Sequence, residues 1–211
     1  MYISAVVLGL LLLSFHHLGY SLGDDLFRWI GISPWTDGKS RGLHLPVLFG
    51  FLLLIFGVVG VSRIYQSRYP KIMSRLIIGC VAFIMIFPFI TENLFFLTKF
   101  NSTGVSSVAF SKKDSQCNYR MEEDRTVKIE CQLNLYNYGK EQMITIRPLL
   151  DDEFMQFEIE PQAISLTPHT QSNQSVDFYG KIMNRDISSA GGWQNGIGVE
   201  IEKDGVKKRF E

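Results

Sequence analysis

The chain has 211 residues with 21 basic and 21 acidic side chains, and 46% of its residues are hydrophobic. This composition excludes a disordered chain, a collagen-like repeat and a strongly basic nucleic-acid-binding protein. The zero net charge is an average over two unlike parts, because residues 1–100 carry 8 basic and 4 acidic side chains whereas residues 101–211 carry 13 and 17. We therefore expect a membrane domain over residues 1–100 and a separate, more polar domain over residues 104–211.

Three apolar runs in the first domain predict three transmembrane helices, at about residues 2–19, 45–63 and 75–97. A helix needs roughly 20 residues to cross a hydrocarbon core of about 30 Å. The first run is the weakest, because Ser14, His16 and His17 shorten its apolar stretch. It could instead be a cleaved signal peptide, but residues 1–10 lack the Lys or Arg of such a peptide. We interpret the run as a retained span.

The loop between the first and second spans contains the sequence DDLFRWIGI at residues 24–32. Two acidic residues followed by an apolar cluster predict a short helix that lies in the membrane interface. Trp29 and Trp35 would anchor this segment or contact a partner protein. In the second span, Gly50 and Gly57 lie on one helix face and would allow another helix to approach closely.

The loop between the second and third spans is basic and free of acidic residues, with Arg63, Arg68, Lys71 and Arg75. Such loops are typical of the cytoplasmic side of a membrane. The opposite side also carries Lys and Arg residues, so a raw tally does not decide the orientation. The density of basic residues favours a cytoplasmic amino terminus and an extracytoplasmic carboxy-terminal domain in the cell membrane.

Cys117 and Cys131 are placed symmetrically around a charged stretch, MEEDRT at residues 121–126, which is suited to a turn. If the flanking strands pair about this centre, Cys117 faces Cys131, Tyr119 faces Ile129 and Met121 faces Val127. Directly opposed residues in an antiparallel pair are close enough for a disulfide. A disulfide implies an oxidising compartment, whereas the alternative is a pair of reduced, buried cysteines in the cytosol. Cys80 lies inside the third predicted span and is interpreted as a packing residue.

The second domain changes from continuous apolar runs to alternation. Residues 126–136 alternate most clearly, with Val127, Ile129, Cys131, Leu133 and Leu135 on one side. Alternation of this kind predicts a half-buried strand. Near the end, the sequence Asp204-Gly205 between two strand-like runs predicts a hairpin. About eight short strands without helical periodicity predict an antiparallel sandwich.

Residues 126–180 resemble immunoglobulin-like modules of bacterial surface and envelope proteins. The resemblance depends on a strand that ends in Asn137-Tyr138-Gly139, on a later stretch with Ile159, Pro161, Ile164, Leu166 and Pro168, and on Val176 and Phe178 in the next strand. The resemblance implies an immunoglobulin-like fold. It implies no catalytic residue, because folds of this kind serve many functions.

The sequence lacks the common enzyme motifs, including G-x-S-x-G, a Walker loop, H-E-x-x-H and C-x-x-C. We therefore expect neither an enzyme nor a cofactor. An alternative is a metal, haem or proton-handling site at the outer membrane face, built from His16, His17, His44 and Glu92. The competing interpretation of these four residues is a polar belt at the membrane interface.

These observations lead to the expectation of three transmembrane helices followed by an antiparallel, all-β, immunoglobulin-like sandwich. The protein would be a binding or assembly module anchored in the membrane, and an accessory subunit of an envelope complex. Its expected partners are the lipid bilayer and another membrane or cell-surface protein. Trp193, which follows Gly191-Gly192, would be exposed on a flexible loop and contact a partner or a glycan, or it would pack in the core.

Overall fold

The computed structural model describes residues 1–37, 42–122, 126–150, 157–183 and 191–210. The chain divides into two compact units, Met1–Asn93 and Leu94–Glu211. We call the first the helical unit and the second the β unit. The division lies within the last long helix, so the end of that helix belongs to the β unit.

Four α-helices are present in the described residues: α1 (Tyr2–Leu13), α2 (Leu22–Trp29), α3 (Leu45–Tyr65) and α4 (Ile72–Lys99). By length and composition, α3 and α4 could each cross a membrane. They contain the second and third predicted spans. Pro88 lies inside α4, where the carbonyl oxygen of Pro88 accepts a hydrogen bond from the hydroxyl of Thr91 at 2.8 Å.

The first predicted span, residues 2–19, is not one continuous helix. α1 has 12 residues and ends at Leu13, because Ser14 adopts an extended conformation. The Ser14 hydroxyl donates a hydrogen bond to the carbonyl oxygen of Leu10, and Gly19 turns the chain with a φ of 82°. A side chain that bonds to its own helix competes with continuation of that helix. His16 and His17 therefore lie in a turn after α1 and not in a helix.

α1 packs closely against α3 through glycine residues on both helices. A Cβ atom on Gly9 would lie 2.8 Å from the carbonyl oxygen of Gly50, and one on Gly57 would lie 2.7 Å from the backbone nitrogen of Val6. Such distances leave no room for a side chain, so the helix backbones approach each other as they do at small-residue interfaces in membranes. The prediction that Gly50 and Gly57 allow a close helix approach is confirmed, and the approaching helix is α1.

The short helix predicted around residues 24–32 is confirmed as α2. Its first turn contains two acidic residues, Asp24 and Asp25, which are favourable near the positive end of a helix dipole. Ser21 caps the helix, and its hydroxyl oxygen accepts a hydrogen bond from the backbone N–H of Asp24. This cap was missed in the sequence, although a serine three residues before an acidic residue is a usual cap signal.

The β unit contains ten strands within the described residues: β1 (Val108–Phe110), β2 (Gln116–Met121), β3 (Thr126–Asn137), β4 (Met143–Leu149), β5 (Phe157–Ile159), β6 (Gln162–Ser165), β7 (Thr170–Ile182), β8 (Gly191–Asn195), β9 (Gly198–Lys203) and β10 (Val206–Phe210). They form two antiparallel sheets. The first has the order β5-β7-β3-β2-β8, with β1 also paired to β3, and the second has the order β10-β9-β4-β6.

One cluster of buried apolar side chains has members from both sheets. The inward side of β3 supplies Val127, Ile129, Cys131, Leu133 and Leu135, each at most 1% exposed. The alternation predicted for this strand is therefore confirmed. The second sheet adds Ile144, Ile146, Val199 and Ile201 to the same cluster. Burial of this apolar area is the main contribution to the stability of the β unit.

β2 and β3 form the predicted hairpin with the predicted register. Cys117 pairs with Cys131, Tyr119 with Ile129 and Met121 with Val127. The two cysteines form a disulfide, so this prediction is also confirmed. The second predicted hairpin is present as well, because Lys203 pairs with Val206 around Asp204 and Gly205, which both have positive φ.

The carboxy-terminal end of α4 packs on the β unit around Tyr138. The Tyr138 side chain is 0% exposed and lies against the rings of Phe95 and Phe96, at centroid distances of 5.4 and 5.0 Å. Phe100 stacks on His169 at 4.0 Å. A Cβ atom on Gly139 would overlap the backbone carbonyl of Ser102, so this chain crossing requires glycine. The last turns of α4 are therefore part of the same packed body as the sheets.

Glu200 holds a cluster of charges on the second sheet. Its side chain is 6% exposed and accepts hydrogen bonds from Arg209 at 2.8 Å and from Arg147 at 2.9 Å. The ammonium group of Lys207 lies 3.5 Å from the same carboxylate. The hydrogen bond from Arg209, with the charges of Arg147 and Lys207, lowers the pKa of the Glu200 carboxyl below its ordinary value.

We expect Glu200→Gln to make the β unit less sensitive to acid. A lowered pKa in the folded state stabilises the fold above the unfolded value of about 4.3, and this stabilisation is lost as the pH falls through the folded pKa. At pH 7 the variant should lose on the order of 1–2 kcal/mol, since its cationic neighbours are half-buried or exposed and can regain water. Urea unfolding at pH 3 to 7 measures both effects. An equal loss for Glu200→Gln at every pH would contradict the prediction.

Candidate functional site

The outward side of the first sheet carries polar side chains on four neighbouring strands. We call it the polar face and define it by Gln116, Asn118, Arg120, Lys128, Glu130, Gln132, Ser175, Asp177, Tyr179, Trp193 and Asn195. These residues alternate with the buried ones along each strand, as strand geometry requires. The polar face therefore lies directly over the disulfide and the core.

Strand register arranges the polar face in rows that cross the sheet. In the central row, Trp193 of β8 pairs with Asn118 of β2, which pairs with Glu130 of β3, which pairs with Asp177 of β7. Opposed residues in an antiparallel sheet have neighbouring side chains. An aromatic ring, an amide and two carboxylates are thus aligned across four neighbouring strands.

Two shallow depressions lie on the polar face. One, of about 440 Å³, is lined by Trp193, Gln116, Gln132 and Ser175. The other, of about 320 Å³, is lined by Arg120, Lys128, Gly191 and Gly192. Asn118 and Glu130 line both depressions and so lie between them.

Glycine leaves the second depression, the one lined by Arg120, open. Gly191 pairs with Arg120, and a Cβ atom at Gly191 would meet only the carbonyl oxygen of Tyr119, at 3.5 Å. A small side chain would therefore fit there without strain. The wild-type residue leaves free space beside the Arg120 side chain.

The two cations of the polar face have different environments. Lys128 contacts Glu130 at 2.7 Å and Asp177 at 3.0 Å, and its hydrogen bonds to these carboxylates raise the pKa of the ammonium group above its ordinary value. Arg120 is exposed and makes no ion pair within the described ranges. The guanidinium group of Arg120 is therefore available to an external anion.

Trp193 is 72% exposed, so the interpretation that it packs in the core is wrong. The interpretation of a flexible loop is also wrong, because Gly191–Asn195 forms strand β8 at one end of the first sheet. The strand was missed because its glycines have low β-propensity and its other residues give little apolar alternation. Trp193 is presented on a paired strand, which fixes the backbone beneath the indole ring.

The histidines of the alternative metal or proton site are divided among different partners. His44 contacts Asp24 at 2.8 Å, and His16 lies 3.8 Å from Asp25. The Nδ1 atom of His17 is 3.3 Å from the hydroxyl of Thr91 on α4. The His16 and His17 rings are 5.8 Å apart.

Glu92 is half-buried on α4, next to Thr91 in the sequence. In the part of the chain that is described, no group of three or more His, Cys, Asp or Glu residues is arranged to hold a metal ion. His16 and His44 are therefore each paired with a carboxylate of α2. These contacts connect α2 to the turn after α1 and to the start of α3.

The other two tryptophans belong to the helical unit. Trp29 ends α2 and is 83% exposed. Trp35 is half-buried and lies against the ring of His44, at a centroid distance of 4.5 Å. Exposed apolar residues near Trp29 include Leu26 and Ile30, which give α2 an apolar side suited to a membrane interface.

Comparison of the chain with known protein families, with curated proteins and with solved structures found no match. Of the surfaces described, the polar face alone combines an exposed tryptophan, open depressions and an unpaired cation.

Proposed function

We propose that the protein is a membrane-anchored, extracytoplasmic binding module and an accessory subunit of an envelope complex. The observation that carries the proposal is the exposed Trp193 on the polar face. The β unit that bears this residue contains an internal disulfide and follows two helices that could cross a membrane. This role needs no catalytic group, since recognition requires only a rigid surface of suitable chemistry.

The β unit is proposed to be an immunoglobulin-like sandwich. Its two antiparallel sheets and their common core support this proposal. The residues of the resemblance also fall on suitable elements, since β3 ends at Asn137, Tyr138 and Gly139 follow it directly, and Phe178 of β7 is buried. Strand-rich modules of this kind present binding surfaces on a scaffold that does not need to move.

The membrane anchor is proposed to cross three times. α1 alone is about 18 Å long at 1.5 Å per residue, which is shorter than a bilayer core of about 30 Å. However, Tyr2 lies beside Gly60 near one end of α3, and Gly23, just beyond the turn, lies beside Pro46 at the other end. α1 and the turn after it therefore cover most of the length of α3, which supports a crossing at this position.

The orientation is proposed to have a cytoplasmic amino terminus and an extracytoplasmic β unit. The basic loop between α3 and α4 favours the cytoplasmic side. The disulfide between Cys117 and Cys131 favours an oxidising compartment for the β unit. With three crossings, these two segments fall on opposite sides of the membrane, so the two arguments agree.

Cysteine accessibility in cells tests the proposed membrane anchor and the extracytoplasmic location of the β unit. In a Cys80→Ala background, we expect a membrane-impermeant maleimide to label Lys140→Cys in intact cells and to label Ser67→Cys only after lysis. Lys140 is exposed next to β3, and Ser67 is exposed between α3 and α4, so both positions accept a reagent. The native cysteines of the disulfide are 1% exposed and do not compete for the reagent. Labelling of Ser67→Cys alone, or of neither position before lysis, would overturn the proposal.

A further inference from the structure

The polar face combines side chains that suit a sugar bearing a negative charge. We propose that it binds an acidic oligosaccharide, with Trp193 stacked on one pyranose ring and Arg120 paired with a sugar carboxylate. This inference rests on the proposed function and specifies the class of ligand.

Trp193 supplies the flat apolar surface that a pyranose requires. One side of a pyranose ring is lined by C–H groups, while its hydroxyl groups project around the rim. An exposed indole offers a broad apolar surface for the C–H side at a low cost in side-chain entropy. Because Trp193 belongs to a paired strand, the backbone that carries the ring is fixed, and the ring lines one of the two depressions.

The neighbouring side chains suit the hydroxyl groups. Asn118, next to Trp193 in the central row, offers an amide that both donates and accepts hydrogen bonds, and Glu130 offers a carboxylate that accepts them. Gln116 and Gln132 are already hydrogen-bonded to each other at 3.1 Å, which orients a second pair of amides in the same depression. Hydroxyl groups of a sugar on the indole would therefore meet donors and acceptors on the side that faces β2 and β3.

The same composition disfavours a protein partner as the occupant. The centre of a protein–protein interface is depleted in charged residues and is usually built around a cluster of apolar anchors. Here amide and charged side chains surround the single tryptophan that lines the depressions. A protein that covered this face would have to desolvate Glu130, Lys128 and Asp177 together.

Arg120 indicates that the sugar is acidic. Lys128 is neutralised by two carboxylates, whereas Arg120 is exposed beside the open space at Gly191. A guanidinium group binds a carboxylate through two parallel hydrogen bonds, which provides both affinity and orientation.

The two depressions indicate that the ligand has at least two sugar units. Their volumes of about 320 and 440 Å³ fall within the range of roughly 300–1,000 Å³ for small-molecule sites. Trp193 lines one depression and Arg120 the other, with Asn118 and Glu130 between them. A neutral unit on Trp193 joined to an acidic unit beside Arg120 would contact both.

A glycan array tests the inference with the full-length protein in detergent micelles. The array carries uronate- and sialate-containing oligosaccharides next to neutral oligosaccharides of the same length. We expect binding to acidic glycans, and we expect Trp193→Ala to weaken it roughly tenfold or more. Arg120→Gln should remove the preference for acidic over neutral glycans, and Gly191→Gln should block the second depression while fitting the strand.

Matched controls distinguish the site from general effects of charge and exposed rings. Trp29→Ala removes another exposed tryptophan, from the helical unit, and Lys140→Gln removes an exposed cation from the β unit. Both variants should bind like the wild type. Binding to no glycan, binding unaffected by Trp193→Ala, or an acidic preference that survives Arg120→Gln would overturn the inference. These outcomes leave the cysteine-labelling result untouched, so the proposed function is judged separately.

Discussion

Replacing Cys117 and Cys131 together by alanine is expected to lower the free energy of unfolding of the β unit by about 3 kcal/mol. The disulfide joins residues 14 positions apart in the sequence and closes the β2–β3 hairpin. Loop closure reduces the conformational entropy of the unfolded chain, and loops of about 15 residues give this magnitude in the chain-entropy account. Pulse proteolysis of the full-length protein in increasing urea measures the change in the unfolding midpoint.

A chemical control accompanies the disulfide variant. Reduction of the wild type with dithiothreitol under unfolding conditions should reproduce the midpoint of the double alanine variant, because both remove the same cross-link. Cys80→Ala changes a free thiol on α4 and should leave the midpoint of the β unit unchanged. If the reduced wild type unfolds at the same urea concentration as the oxidised protein, the cross-link does not stabilise the fold.

The hairpin was predictable from the sequence because its information is local. Cys117 and Cys131 are equidistant from a charged stretch of sequence, and alternation along β3 determines which side chains are buried. A shift of one residue would move every apolar side chain of β3 to the outward side, so the register is strongly specified. The Asp204-Gly205 turn was predictable for the same reason, since its two residues favour positive φ.

The interruption after α1 and strand β8 were not predicted, because each depends on contacts beyond local hydrophobicity. The apolar run at residues 2–19 suggests a single helix, but Ser14 bonds back to Leu10 and the chain turns at Gly19. β8 has few apolar residues, and its strand conformation depends on pairing with β2. Pairing with a distant strand overrides weak propensity in such segments.

The candidate site was only partly predictable for a related reason. Trp193 was recognised as a residue able to contact a glycan or a partner, but its exposure depends on which side of β8 it occupies. Arg120 and Asn118 were not singled out, because only the pairing of β2 with β3 and β8 brings them beside Trp193. The pairing of His44 with Asp24 is likewise a tertiary contact across 20 positions, for which the sequence carries no signal.

Replacing Tyr138 by alanine is expected to cost about 3–5 kcal/mol, the range measured for large buried aromatic residues. Tyr138 is 0% exposed and packs against Phe95 and Phe96 at the end of α4, so the substitution leaves a cavity between the helix end and the sheets. Pulse proteolysis of the full-length protein measures the loss. Hydrogen exchange should also accelerate at residues 94–100, because the end of α4 loses the aromatic ring on which it packs.

Two further substitutions separate packing from other effects. Tyr138→Phe keeps the ring and should retain most of the stability, whereas Tyr179→Ala removes a more exposed ring from the polar face and should cost less than about 1 kcal/mol. If Tyr138→Ala lowers stability without faster exchange at residues 94–100, the end of α4 is held by other contacts. If exchange does accelerate there, Tyr138 is the residue that joins the last turns of α4 to the sheets, and the polar face is carried on a β unit that includes the end of a possible membrane helix.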